Sequence, residues 1–229
     1  MIKDIFAAGG FLSGESNVIP ILSVEDEIKL SEESLPDEVP LLPLRNTVLF
    51  PGMVIPITIG REKSLKLARD CSNNDFPIGV VAQHDNNVED PTIKDMYRVG
   101  TIARILKTLN IPDGNIMMVV QGVKVFEIGR VLQSRPYYRC EVHPYPTNDL
   151  DTETTDTEEF KAKMIMIRET MGNILQLTPG TPRDAITAVN NIESNTFLLS
   201  FIVSNLSLCH RIISAESYEE LLELLINPN

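Results

Sequence analysis

The sequence predicts an α+β protein, a small and partly closed β-barrel with one helix, followed by an all-helical bundle. Between residues 40 and 146, short apolar runs of strand type alternate with turn residues. Residues 147–157 are almost entirely Thr, Asp and Glu, which is typical of a solvated acidic linker. After residue 158, apolar residues recur at helical spacing. We therefore divide the chain into residues 1–39, 40–146, 147–157 and 158–229.

The first segment, residues 1–39, is rich in Ser, Glu and Gly and has no sustained periodicity. Residues 1–40 contain nine acidic side chains and two basic ones. Low hydrophobicity with a high net charge disfavours a packed core. The segment is predicted to be a flexible acidic leader.

Two short strands are predicted on either side of Pro51-Gly52. Proline presets φ at the second position of a type II turn, and glycine accepts the positive φ of the third. Pro43 and Pro56 have no N–H to donate, which places their segments at sheet edges or strand ends. Gly60 then ends the second strand, and a helix is predicted from Arg61 to about Asn73.

The remaining β segments follow this helix. Residues 101–109 and 116–120 form a predicted hairpin, because Pro112-Asp-Gly-Asn115 is typical of a turn. Further strands are predicted at 76–83, from residue 123 to about 128, and at 137–142.

The helical part begins with Glu158 to Leu177, which carries one apolar stripe at spacings of three and four residues. A second helix is predicted over Asn195 to Leu206. Ser217-x-x-Glu220 is a capping box that predicts a third helix. The stripe of the first helix consists of Phe160, Met164, Ile167, Met171 and Ile174.

Catalytic, cofactor and metal motifs are absent from the sequence. None of the twelve glycines precedes a lysine, so there is no phosphate-binding P-loop. The three histidines and three cysteines have no metal-ligand spacing. The widely separated cysteines predict reduced thiols and a cytoplasmic location. No apolar stretch is long enough to cross a bilayer, so no membrane association is expected.

Several motifs resemble, in order and spacing, the N-terminal domain of Lon proteases, and the resemblance extends over about residues 40–226. The first are Leu-Pro-Leu-Arg-Asn, Phe-Pro-Gly, Val-Ile-Pro and Gly-Arg-Glu-Lys-Ser. They lie at residues 42–46, 50–52, 54–56 and 60–64, and further matches follow at 79–83, 97–105, 122–126 and 136–137.

The resemblance implies a PUA-like fold for the barrel. It also implies a non-catalytic region that recognises unfolded or damaged proteins, delivers them to an ATPase ring and supports assembly of the hexamer with other Lon protomers. Lon places its ATPase and its Ser–Lys dyad elsewhere in the chain. The parent would thus be an ATP-dependent serine endopeptidase, with ATP and Mg²⁺ as cofactors of the parent and none in this chain.

Candidate contacts for substrates or partners follow from side-chain chemistry. Methionine is soft and adapts to varied apolar partners, although a methionine can equally fill the core. The charged residues at the first turn of the predicted helix suit contacts with substrates or neighbouring protomers, or form a solvated turn. Replacing Arg61 and Lys63 by Ala is then expected to weaken capture of unfolded protein at an unchanged melting temperature. The candidates are Arg61, Glu62, Lys63, Met117, Met118, Tyr137 and Met166.

Two other functions fit the sequence. The first is a free-standing Lon-like adaptor, which the same domain would also serve. The second is a PUA-like nucleic-acid-binding module, since residues 98–139 carry seven basic and two acidic side chains. Few aromatic residues are available there for base stacking, and the acidic segments would compete for the basic face.

Overall fold

A computed structural model describes residues 24–45, 47–74, 76–145, 157–177 and 189–205. The chain divides into two compact units, one of which spans Glu25–Tyr145 and contains a six-stranded sheet. In the second unit, the described residues include helices over Glu158–Leu177 and Asn195–Asn205. The predicted α+β class is confirmed.

The described elements follow one another in this order. They are α1 (Val24–Glu32), β1 (Glu38–Leu44), β2 (Val54–Ile59), α2 (Glu62–Asn74), β3 (Ile78–Ala82), a 3₁₀ turn (Ile93–Asp95), β4 (Val99–Asn110), β5 (Ile116–Gln133), β6 (Arg139–Pro144), α3 (Glu158–Leu177) and α4 (Asn195–Asn205).

The strands pair in the order β2-β5-β4-β3-β1-β6, and β6 pairs again with β5. Five strands therefore form a ring of pairings that begins and ends at β5. The β1–β3 pair is parallel and the others are antiparallel. Within the described residues, β2 pairs with the N-terminal half of β5 alone and is an edge strand. The finer prediction of a PUA-like barrel stays a prediction.

The core of this unit lies inside the ring around Phe126, which is fully buried. Two glycines leave room for its ring, because a Cβ at Gly79 or Gly100 would lie within about 3 Å of it. Cys140 contributes to the same cluster, and burial raises the pKa of its thiol to about 11. The cluster consists of Val39, Leu41, Val81, Met96, Ile102, Phe126, Ile128 and Cys140.

The predicted turn between the first two strands is present. Gly52 has φ +78°, the value that the third position of a type II turn requires. The Met53 N–H donates to the Phe50 carbonyl at 3.2 Å and closes the turn. Pro56 lies on the edge strand, as predicted, and Pro43 lies next to the last residue of β1.

The prediction of two separate strands at 116–120 and from 123 is wrong, because β5 is continuous through Gly122. The Gly122 N–H donates to the Met53 carbonyl at 2.9 Å, and its carbonyl accepts from the Gly52 N–H at 2.8 Å. These bonds keep the strand extended beneath the turn. A Cβ on residue 122 would lie 2.2 Å from the Phe50 carbonyl oxygen, so the position suits glycine.

Part of the predicted flexible leader differs from expectation. Residues 24–32 form α1 and β1 begins at Glu38, whereas residues 1–23 lie outside the described residues. The Arg104 guanidinium donates to both carboxylate oxygens of Glu33, at 2.7 and 3.0 Å, and Arg139 donates to Glu38. Leu30 is buried. Acidic residues that suggested a solvated leader therefore serve as ion-pair partners of the strands.

In the second unit, α3 spans the predicted residues, and its buried stripe ends at Leu175 instead of Ile174. The Ser194 hydroxyl accepts from the Phe197 N–H at 3.0 Å, which caps α4 near its predicted start. Residues 147–156 of the predicted linker, and the third helix predicted from the capping box at Ser217, lie outside the described residues, and the bundle stays a prediction. No helix among the described residues is long and apolar enough to span a membrane.

Replacing Gly122 by Ala should lower the free energy of unfolding by about 1–3 kcal/mol, since the new methyl group would overlap the Phe50 carbonyl. Denaturant titration followed by circular dichroism measures the change. Gly172→Ala in α3 is the matched control, because a Cβ there meets nothing within 4 Å and alanine favours the helix. Equal stability of Gly122→Ala and the unchanged chain would contradict the close approach of turn and strand.

Candidate functional site

The edge strand β2 has an unusual composition for its position. Its sequence, Val-Ile-Pro-Ile-Thr-Ile, is β-branched apart from the proline and carries no charge. Among the described residues, no strand pairs with its outer edge. Open edges in native proteins are commonly protected by charged residues or proline, since exposed N–H and C=O groups recruit other strands. Pro56 is the only such device within β2.

The backbone groups that face outward from β2 can be identified from one bond. The Met53 carbonyl accepts from Gly122 of β5, and peptide groups alternate in direction along an antiparallel strand. Ile55 and Ile57 therefore bond to β5. The peptide groups of Val54, Pro56 and Thr58 point away from it.

A second partly open edge belongs to the C-terminal half of β1. The Leu41 N–H donates to the Tyr138 carbonyl at 2.8 Å, whereas the Leu44 carbonyl accepts from the Gln83 N–H at 2.9 Å, beyond β3. By the same alternation, the backbone of Pro43 faces away from β3. Both open edges thus carry a proline where a donor would otherwise be exposed.

A groove of about 440 Å³ lies along these two edges. Its walls combine aliphatic side chains with polar and charged groups, and its outward-facing backbone groups offer more acceptors than donors. Among the lining residues, the acceptors are the carbonyls of Pro43, Pro56 and Thr58, and the donor is the N–H of Thr58; Val54, just outside the lining, adds one outward N–H and one carbonyl at the start of β2. The lining residues are 42–45, 47, 55–61 and 64.

Two arginines lie at one end of the groove. The guanidinium groups of Arg45 and Arg61 both donate to the Val88 carbonyl, at 3.1 and 3.4 Å. Arg61 also donates to Oε1 of Gln83 at 2.6 Å, and the Gln83 side chain is almost fully buried. Burial lowers the pKa of Arg61, and Arg45 lowers it further. These described hydrogen-bond acceptors are neutral oxygens, and the carboxylates of Asp90 and Glu89 act on Arg61 only through longer-range attraction that raises its pKa.

The surface beside the groove is partly apolar. β2, the first half of β5 and the end of β4 form one face, on which Thr58, Met117 and Leu109 are cross-strand neighbours. Pro56, Val119 and Lys107 form the next row. Leu109 is 44% exposed. We call these six residues the outer face.

The structure separates the two adjacent methionines that the sequence proposed as contacts. Met118 is fully buried, so it is no longer a contact candidate. Successive side chains of a strand point to opposite faces, and that of Met118 points into the core. Met117 is half-buried on the outer face. Glu62 is exposed at the start of α2, and Lys63 forms an ion pair with Asp90 at 2.7 Å.

Tyr137 is not among the residues that line the groove, and Met166 belongs to the second unit. The Tyr137 hydroxyl donates to Asp70 of α2 at 3.2 Å, and burial and this carboxylate raise the pKa of Tyr137. Met166 is 45% exposed on α3, in the second unit. It lies off the buried stripe, as its position in the sequence predicted.

Sequence reasoning missed Arg45, Gln83 and Leu109. The uncharged β-branched run at 54–59 was a signal for the open edge, because Pro56 already placed it at the edge of a sheet. No sequence signal indicated that Gln83 would be buried against Arg61. Among the residues that the structure describes, no group of three or more His, Cys, Asp or Glu side chains could hold a metal ion.

Comparison with known proteins places these features in a family. The family model for the ATP-dependent protease La (LON) substrate-binding domain matches residues 38–226 of the sequence. The chain is 42% identical over 194 residues to the Lon protease of Flavobacterium johnsoniae, covering 85% of the chain and 23% of that protein. It is 39% identical to the Lon protease of Cytophaga hutchinsonii over 83% of the chain and 23% of that protein. The chain thus spans about a quarter of the length of these relatives.

A solved structure supports the fold. The N-terminal domain of Mycobacterium avium complex Lon protease superposes with a TM-score of 0.60 at 23% sequence identity. The match covers 83% of this chain and 96% of that domain. The α+β arrangement described above is therefore similar to that of a Lon N-terminal domain.

Replacing Arg61 by Ala should destabilise the chain by about 1–3 kcal/mol, because the buried Gln83 oxygen would lose its donor. This differs from the sequence-based expectation of an unchanged melting temperature. Lys63→Ala is the matched control and should cost less than about 1 kcal/mol, since its ion pair is exposed. Thermal unfolding of both variants measures the difference; similar small losses would show that the Arg61–Gln83 bond contributes little.

Proposed function

The chain belongs to the Lon substrate-binding domain family, and we propose on this basis that it recognises unfolded or damaged proteins without catalysing their cleavage. The observation that carries the proposal is the open apolar surface formed by the groove and the outer face. Unfolded proteins expose β-branched and aliphatic segments that a native fold would bury. A partly apolar surface of this kind, with positive charge at its margins, suits such segments.

The composition of the outer face supports varied substrates. Met117 is flexible and polarisable, and it lies between the exposed Leu109 and the edge residue Thr58. Lys107 adds a positive charge at the rim. Apolar side chains of different shapes can be accommodated there, which suits a domain that binds many proteins weakly.

The same proposal extends to the role of this chain within a longer protein. The chain corresponds to about a quarter of its relatives, so ATP hydrolysis, Mg²⁺ binding and peptide-bond cleavage are assigned to the remainder of the parent. Substrates held here would be delivered to the ATPase ring of a cytoplasmic hexamer, in which the chain would also contact other protomers. A free-standing adaptor would use the same surface and differ in its partner.

The ion pairs of the barrel argue against nucleic acid as the main ligand. Four of the basic side chains in residues 98–139 pair with carboxylates on the same unit, and Lys124 donates to the Glu33 carbonyl. Such pairing lowers the positive charge available to phosphates. The four pairs are Arg98–Glu127, Arg104–Glu33, Arg130–Glu141 and Arg139–Glu38.

The proposal predicts that the chain binds a reduced and carboxymethylated protein in preference to its native form. Leu109→Ser should weaken this binding about three- to tenfold, since a partly exposed leucine would no longer be buried on contact. Fluorescence anisotropy of the labelled protein measures the affinity.

Leu132→Ser is the matched control, because Leu132 is 43% exposed on β5 but lies outside the outer face. Binding by Leu132→Ser should equal that of the unchanged chain. Equal affinity for native and unfolded protein, in contrast, would refute substrate recognition by this chain. If both leucine variants bind unfolded protein normally, recognition lies elsewhere than the outer face.

A further inference from the structure

We propose that the groove binds its substrate as an added β-strand, in which an extended segment pairs with the outer edge of β2 and places an acidic group at Arg45 and Arg61. This inference rests on the proposed function and specifies how the substrate is held. It commits to one occupant, an extended apolar segment of an unfolded polypeptide with a carboxylate at one end.

The backbone groups along the groove match such a segment. Val54 and Thr58 each offer an outward N–H and a carbonyl, which is the pattern that an extended peptide pairs with. Pro56 and Pro43 add carbonyl acceptors without competing donors. The ligand must therefore supply several N–H groups, and a polypeptide backbone does so at regular spacing.

The side chains along the groove favour apolar segments. Ile55 and Ile57, both half-buried, contribute aliphatic surface to the lining, and β2 carries no charge. A segment with alternating β-branched residues would present one set of side chains to this wall. Specificity for extended over helical segments follows, because a helix keeps its N–H groups for itself.

The two arginines define the expected charge of the ligand. Arg45 and Arg61 are held together by the shared Val88 carbonyl, and their described acceptors are neutral. Asp90 and Glu89 attract Arg61 electrostatically, but Asp90 forms its described ion pair with Lys63. A carboxylate on the ligand would form charge-assisted hydrogen bonds at this end of the groove.

Proline also argues against a second copy of β2 as the occupant. In an antiparallel pair of two β2 edges centred on Pro56, each proline would meet the other, and neither would have an N–H to donate. A proline-free substrate segment retains those bonds. The edge thus disfavours self-association while it stays open to other chains.

The first experiment compares peptides on the full chain of 229 residues. The probe is fluorescein-labelled Asp-Val-Thr-Val-Thr-Val, and two further versions carry N-methyl groups on alternate backbone nitrogens. N-methylation keeps the side chains and removes donors. We expect at least one methylated version to bind at least about tenfold more weakly, because several hydrogen bonds are lost together.

The second experiment changes the protein at Thr58. Thr58→Pro removes an outward N–H and leaves the bonds to β5 in place, so it should weaken binding of the unmethylated peptide about three- to tenfold. Thr58→Val is the matched control, because it removes the hydroxyl and keeps the N–H; it should bind normally. Arg45→Gln should abolish the preference for this peptide over its Asn-containing analogue.

The outcomes separate the binding mode from the proposed function. Unfolded protein that binds the chain, together with equal affinities for methylated and unmethylated peptides, overturns strand addition and leaves substrate recognition standing. Failure of unfolded protein to bind refutes the proposed function itself. Concentration-dependent dimerisation in sedimentation experiments that Thr58→Pro abolishes would assign the edge to a second copy and overturn the proposal.

Discussion

The length of β5 determines how the other strands are arranged. β5 pairs with β4 from Ile116 to Glu127; its C-terminal half also pairs with β6 and completes the ring, whereas its N-terminal half also pairs with β2. Gly122 lies between the two halves, where the turn at Pro51-Gly52 crosses the strand and contributes two hydrogen bonds. A side chain at this position would separate turn from strand. The same contact fixes where β2 begins.

This arrangement leaves β2 open. Most strands in the ring are hydrogen-bonded to a neighbouring strand on both edges. β2 has β5 on one side and, among the described residues, no strand on the other. Folding therefore places an uncharged, β-branched edge beside a groove and next to two arginines. The Arg61–Gln83 bond holds one arginine at that place, so a residue proposed as a contact also supports the local structure.

Much of the fold could be predicted from local sequence. The turn at Pro51-Gly52 follows from φ preferences, and the edge position of Pro56 follows from its missing N–H. The apolar stripe of α3 follows from helical spacing. All three are properties of residues close together in the sequence. The continuity of β5 and the burial of Gln83 could not be predicted, because both depend on partners far apart in sequence. The alternation of side chains along a strand showed that either Met117 or Met118 lies outside the core. Which of the two does so depends on how the strands pair. The acidic residues near Glu33 suggested a solvated leader because their arginine partners lie about seventy residues away.

Hydrogen exchange at β2 tests the central claim most directly. The amides of Val54 and Thr58 should exchange at least about tenfold more slowly when a reduced and carboxymethylated protein is added, because a bound segment would accept their hydrogen bonds. The Ile57 amide, which bonds to β5, should change little and serves as an internal reference. Slower exchange confined to other parts of the chain, with Val54 and Thr58 unchanged, would contradict recognition at this edge.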